Sequence, residues 1–116
     1  MISNASIEKL PHGVVVVNFS GHLTLGTSLR TIEAQLQPLV GDGASRVVFD
    51  MANVDYIDSA GLGMIVLFHG LVDSKNGTLR LCGVNPKVRR LLELTKTDTF
   101  LVIDDNREGS LASLQP

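Results

Sequence analysis

The sequence predicts an α/β domain with a mixed, mostly parallel sheet of about five strands, about four helices and an N-terminal hairpin. Apolar, β-branched runs alternate with segments whose apolar residues recur every three or four positions, which is typical of strand–helix–strand units. The first two strand-like runs are separated only by Pro11-His12-Gly13, a turn signal that predicts an antiparallel hairpin. The 116 residues are a length typical of one domain, spanning residues 1–116.

The hairpin occupies the N-terminal part of the chain. Ala5–Leu10 is a short, weakly patterned strand, whereas Val14–Phe19 contains four consecutive valines, as in a strand buried on both faces. Gly21–Gly26 is predicted to connect this strand to the first helix.

The first predicted helix begins at Thr27 or Ser28, either of which can cap it, and runs to Val40. Pro38 has no N–H group, so we expect the last turn to be kinked or the helix to end early. The segment Gly41-Asp42-Gly43 is predicted to stop the helix.

The segment from Val47 to Val72 organises the rest of the chain. Val47-Val48-Phe49 has the composition of a buried strand. A polar turn is predicted next, with Asn53, Asp55 and Asp58. Ser59 then opens a helix that runs from Ala60 to Val72.

The C-terminal part continues the alternation of strands and helices. The predicted elements are a turn at Ser74-Lys75-Asn76-Gly77, a strand at Thr78–Val84, a helix to about Thr95, a strand at Phe100–Ile103 and a helix ending at Leu114. Asn85 is a good N-cap and Pro86 suits the first helical position, so the start of the third helix is clearly marked. Asp104-Asp105-Asn106 provides caps for the last helix.

Composition excludes several classes of protein. The net charge is −2, with no cluster of Lys and Arg to bind nucleic acid or an anionic membrane. Cys82 is the single cysteine, which predicts a small buried side chain and a reducing compartment. The N-terminal residues lack the layout of a signal peptide, and no apolar run reaches the ~20 residues of a membrane span. We therefore expect a cytoplasmic protein.

Ser59 lies where a loop passes into a helix, and this position has two physical uses. Its hydroxyl is a good N-cap for the first turn. The same helix end carries partial positive charge and therefore tolerates an added phosphate. Gly61 and Gly63 follow in the first turn, where each costs about 1 kcal/mol relative to Ala. Glycine at these positions predicts close approach by a neighbouring element or by another chain.

The helix after Ser59 is apolar nearly all round, which leaves two alternatives. It is either closely packed on the sheet, or it presents an apolar strip to a partner near its N-terminus, around Leu62, Gly63 and Met64. Gly63 and Gly70 are seven residues apart and share a helix face.

The sequence gives little support to an enzyme or a cofactor site. A nucleophile elbow at Ser59 needs glycine two residues on either side; Gly61 is present, but Ile57 is not glycine. None of the three histidines has a spacing that indicates a triad, and their scatter predicts no metal site. Gly61-x-Gly63 without a third glycine is weak evidence for a nucleotide. We expect a binding module without a cofactor.

Several motifs resemble those of STAS domains in anti-sigma factor antagonists. The resemblance covers essentially the whole chain, and its motifs occur in the order of the family. They are Ser20-Gly21-His22-Leu23, Val54-Asp55-Tyr56-Ile57-Asp58-Ser59-Ala60-Gly61-Leu62-Gly63, Asn76-Gly77-Thr78-Leu79-Arg80-Leu81 and Val88-Arg89-Arg90-Leu91-Leu92-Glu93-Leu94-Thr95.

The resemblance implies a single STAS domain that switches a protein complex. In the family, the serine of this motif is phosphorylated by an anti-sigma factor that is itself a serine kinase, and Ser59 occupies that position. The unphosphorylated domain binds the anti-sigma factor and thereby frees the sigma factor. The phosphorylated domain releases the anti-sigma factor, and a serine phosphatase restores the cycle. No coiled-coil seam is visible, and we expect a monomer or a weak dimer.

Thr24 departs from the family pattern. Many antagonists carry an acidic residue here, near the phosphorylated serine, so kinase recognition is an open question in this chain. The alternative functions are a constitutive STAS adaptor in a signalling or lipid-transport complex, in which Ser59 is only a cap, and a nucleotide-binding regulatory domain. The expected interaction site comprises Thr24, Asp58, Ala60, Gly61, Leu62, Gly63 and Met64 around Ser59.

Overall fold

The computed structural model describes residues 3–41 and 44–114. Its five strands are β1 (Asn4–Lys9), β2 (Val14–Leu23), β3 (Arg46–Ile57), β4 (Thr78–Cys82) and β5 (Val102–Asp104). Its four α-helices are α1 (Thr27–Gly41), α2 (Ser59–Asp73), α3 (Pro86–Leu94) and α4 (Arg107–Ser113). The strands form one sheet in the order β1-β2-β3-β4-β5. Only β1 and β2 pair antiparallel, and this confirms the predicted mixed α/β sheet with an N-terminal hairpin.

The two faces of the sheet are covered unequally. A large apolar core joins one face to side chains of α1, α2 and α3. On the opposite face a small cluster of Val16, Val48, Cys82 and Leu114 lies beneath α4. The consecutive valines at the start of β2 therefore point alternately into two cores, which confirms their predicted burial on both faces. Cys82 is fully buried and unpaired, as expected.

Ion pairs join β5 to β4 and fasten α4 to β1. Arg80 on β4 pairs with Asp104 at 2.8 Å, and this carboxylate also accepts a hydrogen bond from the Ser110 hydroxyl of α4. Arg107 at the start of α4 pairs with Glu8 on β1 at 2.7 Å. Seven residues of helix with few apolar contacts are thus held by charge as well as by packing.

Strands β2 and β3 are longer than the sequence predicts. The polar turn expected at Asn53 and Asp55 is wrong, because β3 continues through both residues to Ile57. The connection expected to begin at Gly21 is likewise wrong, because β2 continues to Leu23. Strand β4 ends at Cys82, which pairs with Asp50 of β3. The part of β3 after Asp50 therefore pairs only with β2, and its polar side chains are exposed to solvent. An exposed strand edge of this kind has no apolar alternation from which to predict it.

The first helix does not end early at Pro38. It continues to Gly41, because Pro38 and the residue one turn before it, Ala34, are both exposed, so water can solvate the unpaired carbonyl. The rest of the predicted stop signal, Asp42 and Gly43, lies outside the described residues.

Helix α3 begins as predicted. The Asn85 side chain accepts a hydrogen bond from the Val88 N–H, and Pro86 occupies the first helical position. The last strand lies slightly later than predicted, at Val102–Asp104. No helix among the described residues is both long enough and apolar enough to cross a membrane.

Candidate functional site

Ser59 is the first residue of α2, and its side chain is exposed. The N-cap of the helix is Asp58, whose Oδ1 accepts a hydrogen bond from the Gly61 N–H at 2.9 Å. The interpretation of Ser59 as the cap is therefore wrong. Strand β3 ends at Ile57, which pairs with Leu23, and this register places Asp58 at the N-cap position of α2. The serine hydroxyl is consequently free of the capping role.

The second oxygen of Asp58 binds a different part of the chain. Its Oδ2 accepts a hydrogen bond at 2.9 Å from the N–H of Leu25, which precedes it by 33 residues. The backbone of Asp58 also donates to the Leu23 carbonyl at 3.3 Å. One carboxylate therefore joins the start of α2 to the loop between β2 and α1.

The charge of Asp58 is stabilised in place. Partial burial by itself raises the pKa of this carboxyl, but hydrogen bonds from the backbone N–H groups of Leu25, Gly61 and Ala60 outweigh the burial. The net result is a pKa below the ordinary value. The residue directly before Ser59 therefore carries a charged carboxylate at neutral pH.

The two glycines of the first turn have different surroundings. A Cβ on Gly61 would lie 2.1 Å from the Leu23 carbonyl oxygen, so the predicted close approach is confirmed there, and the neighbour is β2. A Cβ on Gly63 would meet nothing within 4 Å, and Gly63 is exposed. No neighbour in this chain requires glycine at position 63.

Of the two alternatives for the apolar helix α2, close packing on the sheet is the one that holds for Leu62 and Met64. Leu62 is 7% exposed and Met64 is 2% exposed, because both point into the core between α2 and the sheet. Only Gly63 of these three residues is exposed. The outer face of the helix instead runs through Gly63, Leu67 and Gly70, and Ala60 is half-buried beside Ser59.

Two large side chains at this end of the sheet were not anticipated from the sequence. Leu25, in the loop after β2, is 74% exposed, and Tyr56, two residues before the cap, is 44% exposed. The Tyr56 ring contacts the ring of His22 edge-on, with centroids 6.1 Å apart. Thr24 precedes Leu25 and is half-buried. The exposure of Leu25 had one signal in the sequence, which is that this leucine lies in the predicted connection Gly21–Gly26 and not in a strand or helix.

Among the described residues, no hydrogen bond joins a histidine to Ser59. His12 lies in the turn before β2, at the opposite end of the parallel strands, and its carbonyl accepts a hydrogen bond from Arg46. His22 packs on Tyr56, and His69 packs on Phe100 with ring centroids 5.4 Å apart. Residues 3–41 and 44–114 hold no group of three side chains suited to a metal ion. The geometry is that of an exposed hydroxyl beside a fixed carboxylate and an apolar loop.

Comparisons with known proteins identify the family of this chain. A family model described as the STAS domain matches residues 7–109. An anti-sigma F factor antagonist of Paenibacillus polymyxa is 32% identical over 113 residues, which are 97% of each chain. A crystal structure from Thermotoga maritima, described as a candidate anti-sigma factor antagonist, superposes with a TM-score of 0.89 at 22% identity, over 97% of this chain and 95% of the other.

Two further solved structures are of one protein in its phosphorylated and unphosphorylated forms. The Bacillus protein SpoIIAA in its phosphorylated form superposes with a TM-score of 0.77 at 16% identity, over 97% of this chain and 100% of the other. Its unphosphorylated form gives a TM-score of 0.76 at 17% identity, over 95% of this chain and 96% of the other. At these identities the structural likeness supports the fold.

Proposed function

This chain belongs to the STAS domain family, and from that premise we propose that it is an anti-sigma factor antagonist switched by phosphorylation of Ser59. In the unphosphorylated state it binds an anti-sigma factor that has serine-kinase activity, and so releases a sigma factor. Phosphorylation of Ser59 ends the binding. A serine phosphatase that removes the phosphate restores the binding state.

The observation on which the proposal rests is that Asp58, and not Ser59, is the N-cap of α2. Asp58 caps α2, so the exposed Ser59 hydroxyl can accept a phosphoryl group without the loss of a cap. The phosphate would lie at a helix N-terminus, where free N–H groups and the helix dipole favour negative charge. The fold should therefore survive the modification.

The switch itself is a local change in charge. A phosphate adds about −1.5 to −2 charges at pH 7. It would stand beside the Asp58 carboxylate, on a surface that otherwise exposes Leu25 and Tyr56. A partner that fits the unphosphorylated surface would have to desolvate both negative groups, so its affinity falls without a large rearrangement of the domain.

Thr24 gives the site fewer negative groups than an acidic residue would. The carboxylate of Asp58, the residue before Ser59, is then a fixed charge that the site offers to a kinase. We infer that the kinase for this chain recognises Asp58 and the apolar loop rather than an acidic residue at position 24.

The experiment pairs this chain with the kinase-type anti-sigma factors encoded in its own genome, each purified separately. Binding of wild type, Ser59→Ala and Ser59→Glu is measured by titration calorimetry, and transfer of phosphate from ATP is located by mass spectrometry. We expect one anti-sigma factor to bind wild type and Ser59→Ala alike, to bind Ser59→Glu at least about tenfold more weakly, and to phosphorylate Ser59 only.

A matched control is Ser74→Glu, which adds the same charge just beyond the other end of α2. Ser74 is exposed and follows the last helical residue, roughly 22 Å from Ser59 at ~1.5 Å per residue. This variant should bind like wild type. Equal binding of Ser59→Glu and wild type would favour a constitutive adaptor and overturn the switch.

A further inference from the structure

We propose that Leu25 is an anchoring residue of the partner interface, that it enters an apolar pocket on the anti-sigma factor, and that Asp58 is the positioning residue that holds it beside Ser59. The inference rests on the proposed function and adds to it the chemistry of the partner's surface. It also gives Asp58 a role besides capping α2.

Leu25 is the most exposed large apolar side chain among the described residues. At 74%, its exposure exceeds that of Leu94, at 67%, and Leu67, at 50%. Leu94 ends α3, and Leu67 lies midway along α2, whereas Leu25 belongs to a loop whose backbone is bound to the residue before Ser59. An exposed leucine on a held backbone loses little conformational freedom when a partner covers it.

The backbone around Leu25 is fixed from two directions. Its own N–H donates to Asp58 Oδ2, and the preceding Leu23 carbonyl accepts the Asp58 N–H. Leu23 is fully buried and pairs with Ile57 across the sheet. The position of the Leu25 side chain relative to the Ser59 hydroxyl is therefore set by Asp58 and by the strand register.

The chemistry of the loop indicates what the partner presents. The loop, residues 24–26, and the flanking residues from 23 to 29 carry no formal charge, so an ion pair with this segment is not available. Leu25 and Thr27 are exposed there, and of these two side chains Leu25 gains more from an apolar pocket. An apolar pocket beside Ser59 would also be a poor environment for a phosphate, since a charge brought against it is desolvated. The same contact thus serves both affinity and release.

The test is a double-mutant cycle with the purified anti-sigma factor that binds wild type in the preceding titrations. The variants are Leu25→Ala, Asp58→Asn and the pair together, with Leu94→Ala as the matched control. Asn is as good an N-cap as Asp, but its amide group has only one acceptor oxygen. Asp58→Asn therefore keeps the bond from Gly61 and loses the one from Leu25.

We expect Leu25→Ala to weaken the Kd by about 10- to 100-fold, and Leu94→Ala by less than about twofold. Asp58→Asn should weaken it by about three- to tenfold, and the double variant no further than Leu25→Ala alone, because the two residues act as a unit. In the free protein, Asp58→Asn should speed hydrogen exchange of the Leu25 amide while the amides of α2 keep their protection.

The outcomes separate this inference from the proposed function. If Ser59→Glu abolishes binding but Leu25→Ala binds like Leu94→Ala, the anchor is wrong and the switch stands. Unchanged exchange of the Leu25 amide in Asp58→Asn, or additive losses in the cycle, would overturn the positioning role. A wild-type chain that binds none of the anti-sigma factors overturns the proposed function, and the anchor with it.

Discussion

Helices α2 and α3 begin in the same way but use opposite chemistry. Each follows the carboxyl end of a parallel strand, and each is capped by an Asx side chain that accepts the N–H three residues on: Asp58 from Gly61, and Asn85 from Val88. Each cap also reaches a distant segment. Asp58 accepts a hydrogen bond from the Leu25 N–H, whereas Asn85 donates to the carbonyls of Val54 and Asp55.

The second bond decides which Asx residue each helix start requires. Two N–H donors call for a carboxylate, and one N–H with two carbonyls calls for an amide. The next residue differs as well, because α2 continues with an exposed serine and α3 with Pro86. The start of α3 therefore has an uncharged cap that connects the helix to β3. The start of α2 holds a charge and a free hydroxyl at the surface, which is what a modifiable site needs.

The largest effect should come from the closest contact at the start of α2. In Gly61→Ala the new Cβ meets the Leu23 carbonyl oxygen at 2.1 Å, and a backbone atom cannot move aside as a side chain does. We expect the free energy of unfolding to fall by about 2 kcal/mol or more, despite the better helix propensity of Ala. Urea denaturation at neutral pH measures it. An unchanged midpoint would mean that α2 can shift away from β2.

Asn85→Asp should be the next most damaging change, because it gives α3 the acceptor chemistry of α2. The cap on Val88 survives, but the other oxygen faces the Val54 and Asp55 carbonyls, at the distances of 3.0 and 3.1 Å where the amide donates. We expect a loss of about 1–3 kcal/mol at neutral pH. Acid should reduce the loss, since a protonated carboxyl can donate to one carbonyl. A loss that is equal at pH 4 and pH 7 would contradict this account.

Asp58→Asn is the reciprocal exchange and should cost less, about 0.5–1 kcal/mol, because the lost bond from Leu25 is exposed. Burial alone raises the pKa of Asp58, but the N–H donors lower it below 3.8 overall. Its ionised form is thus favoured by folding, and that stability is present above pH 3.8 and lost as the pH falls through the folded pKa. The gap between wild type and variant should therefore close in acid. If the difference in stability between wild type and variant grew in acid, folding would raise the pKa of Asp58 and not lower it.

The same contrast explains what could be predicted from the sequence. The cap of α3 was predictable because Asn85, Pro86 and Val88 interact within four consecutive residues. At α2, Ser59 and Asp58 are both good caps, and residue type alone could not choose between them. The pairing of Leu23 with Ile57 makes that choice, together with a bond that spans 33 residues. The periodicity of apolar residues predicted the helices and the buried strands, but it carries no information about strand pairing or about a hydrogen bond between distant segments.

The exposed face of α2 could not be chosen from the sequence for a related reason. An apolar helix gives no sequence signal for which side faces the sheet, so the sequence left open whether Leu62 and Met64 face a partner or the core; both lie in the core. The position of Ser59 itself was predictable, because a strand, a polar residue and a helical run follow one another in the chain. Its exposed apolar neighbour, Leu25, required the folded arrangement of two separate segments.

Gly63→Ala should have the smallest effect, and the opposite sign to Gly61→Ala two residues earlier. Gly63 is exposed, lies inside α2, and has open space where a Cβ would be. Alanine should then raise the free energy of unfolding by about 0.5–1 kcal/mol, through reduced backbone freedom in the unfolded chain and better helix propensity. Urea denaturation of the two variants side by side measures the contrast. If both were destabilising, the first turn of α2 would be constrained on its outer face as well as against β2.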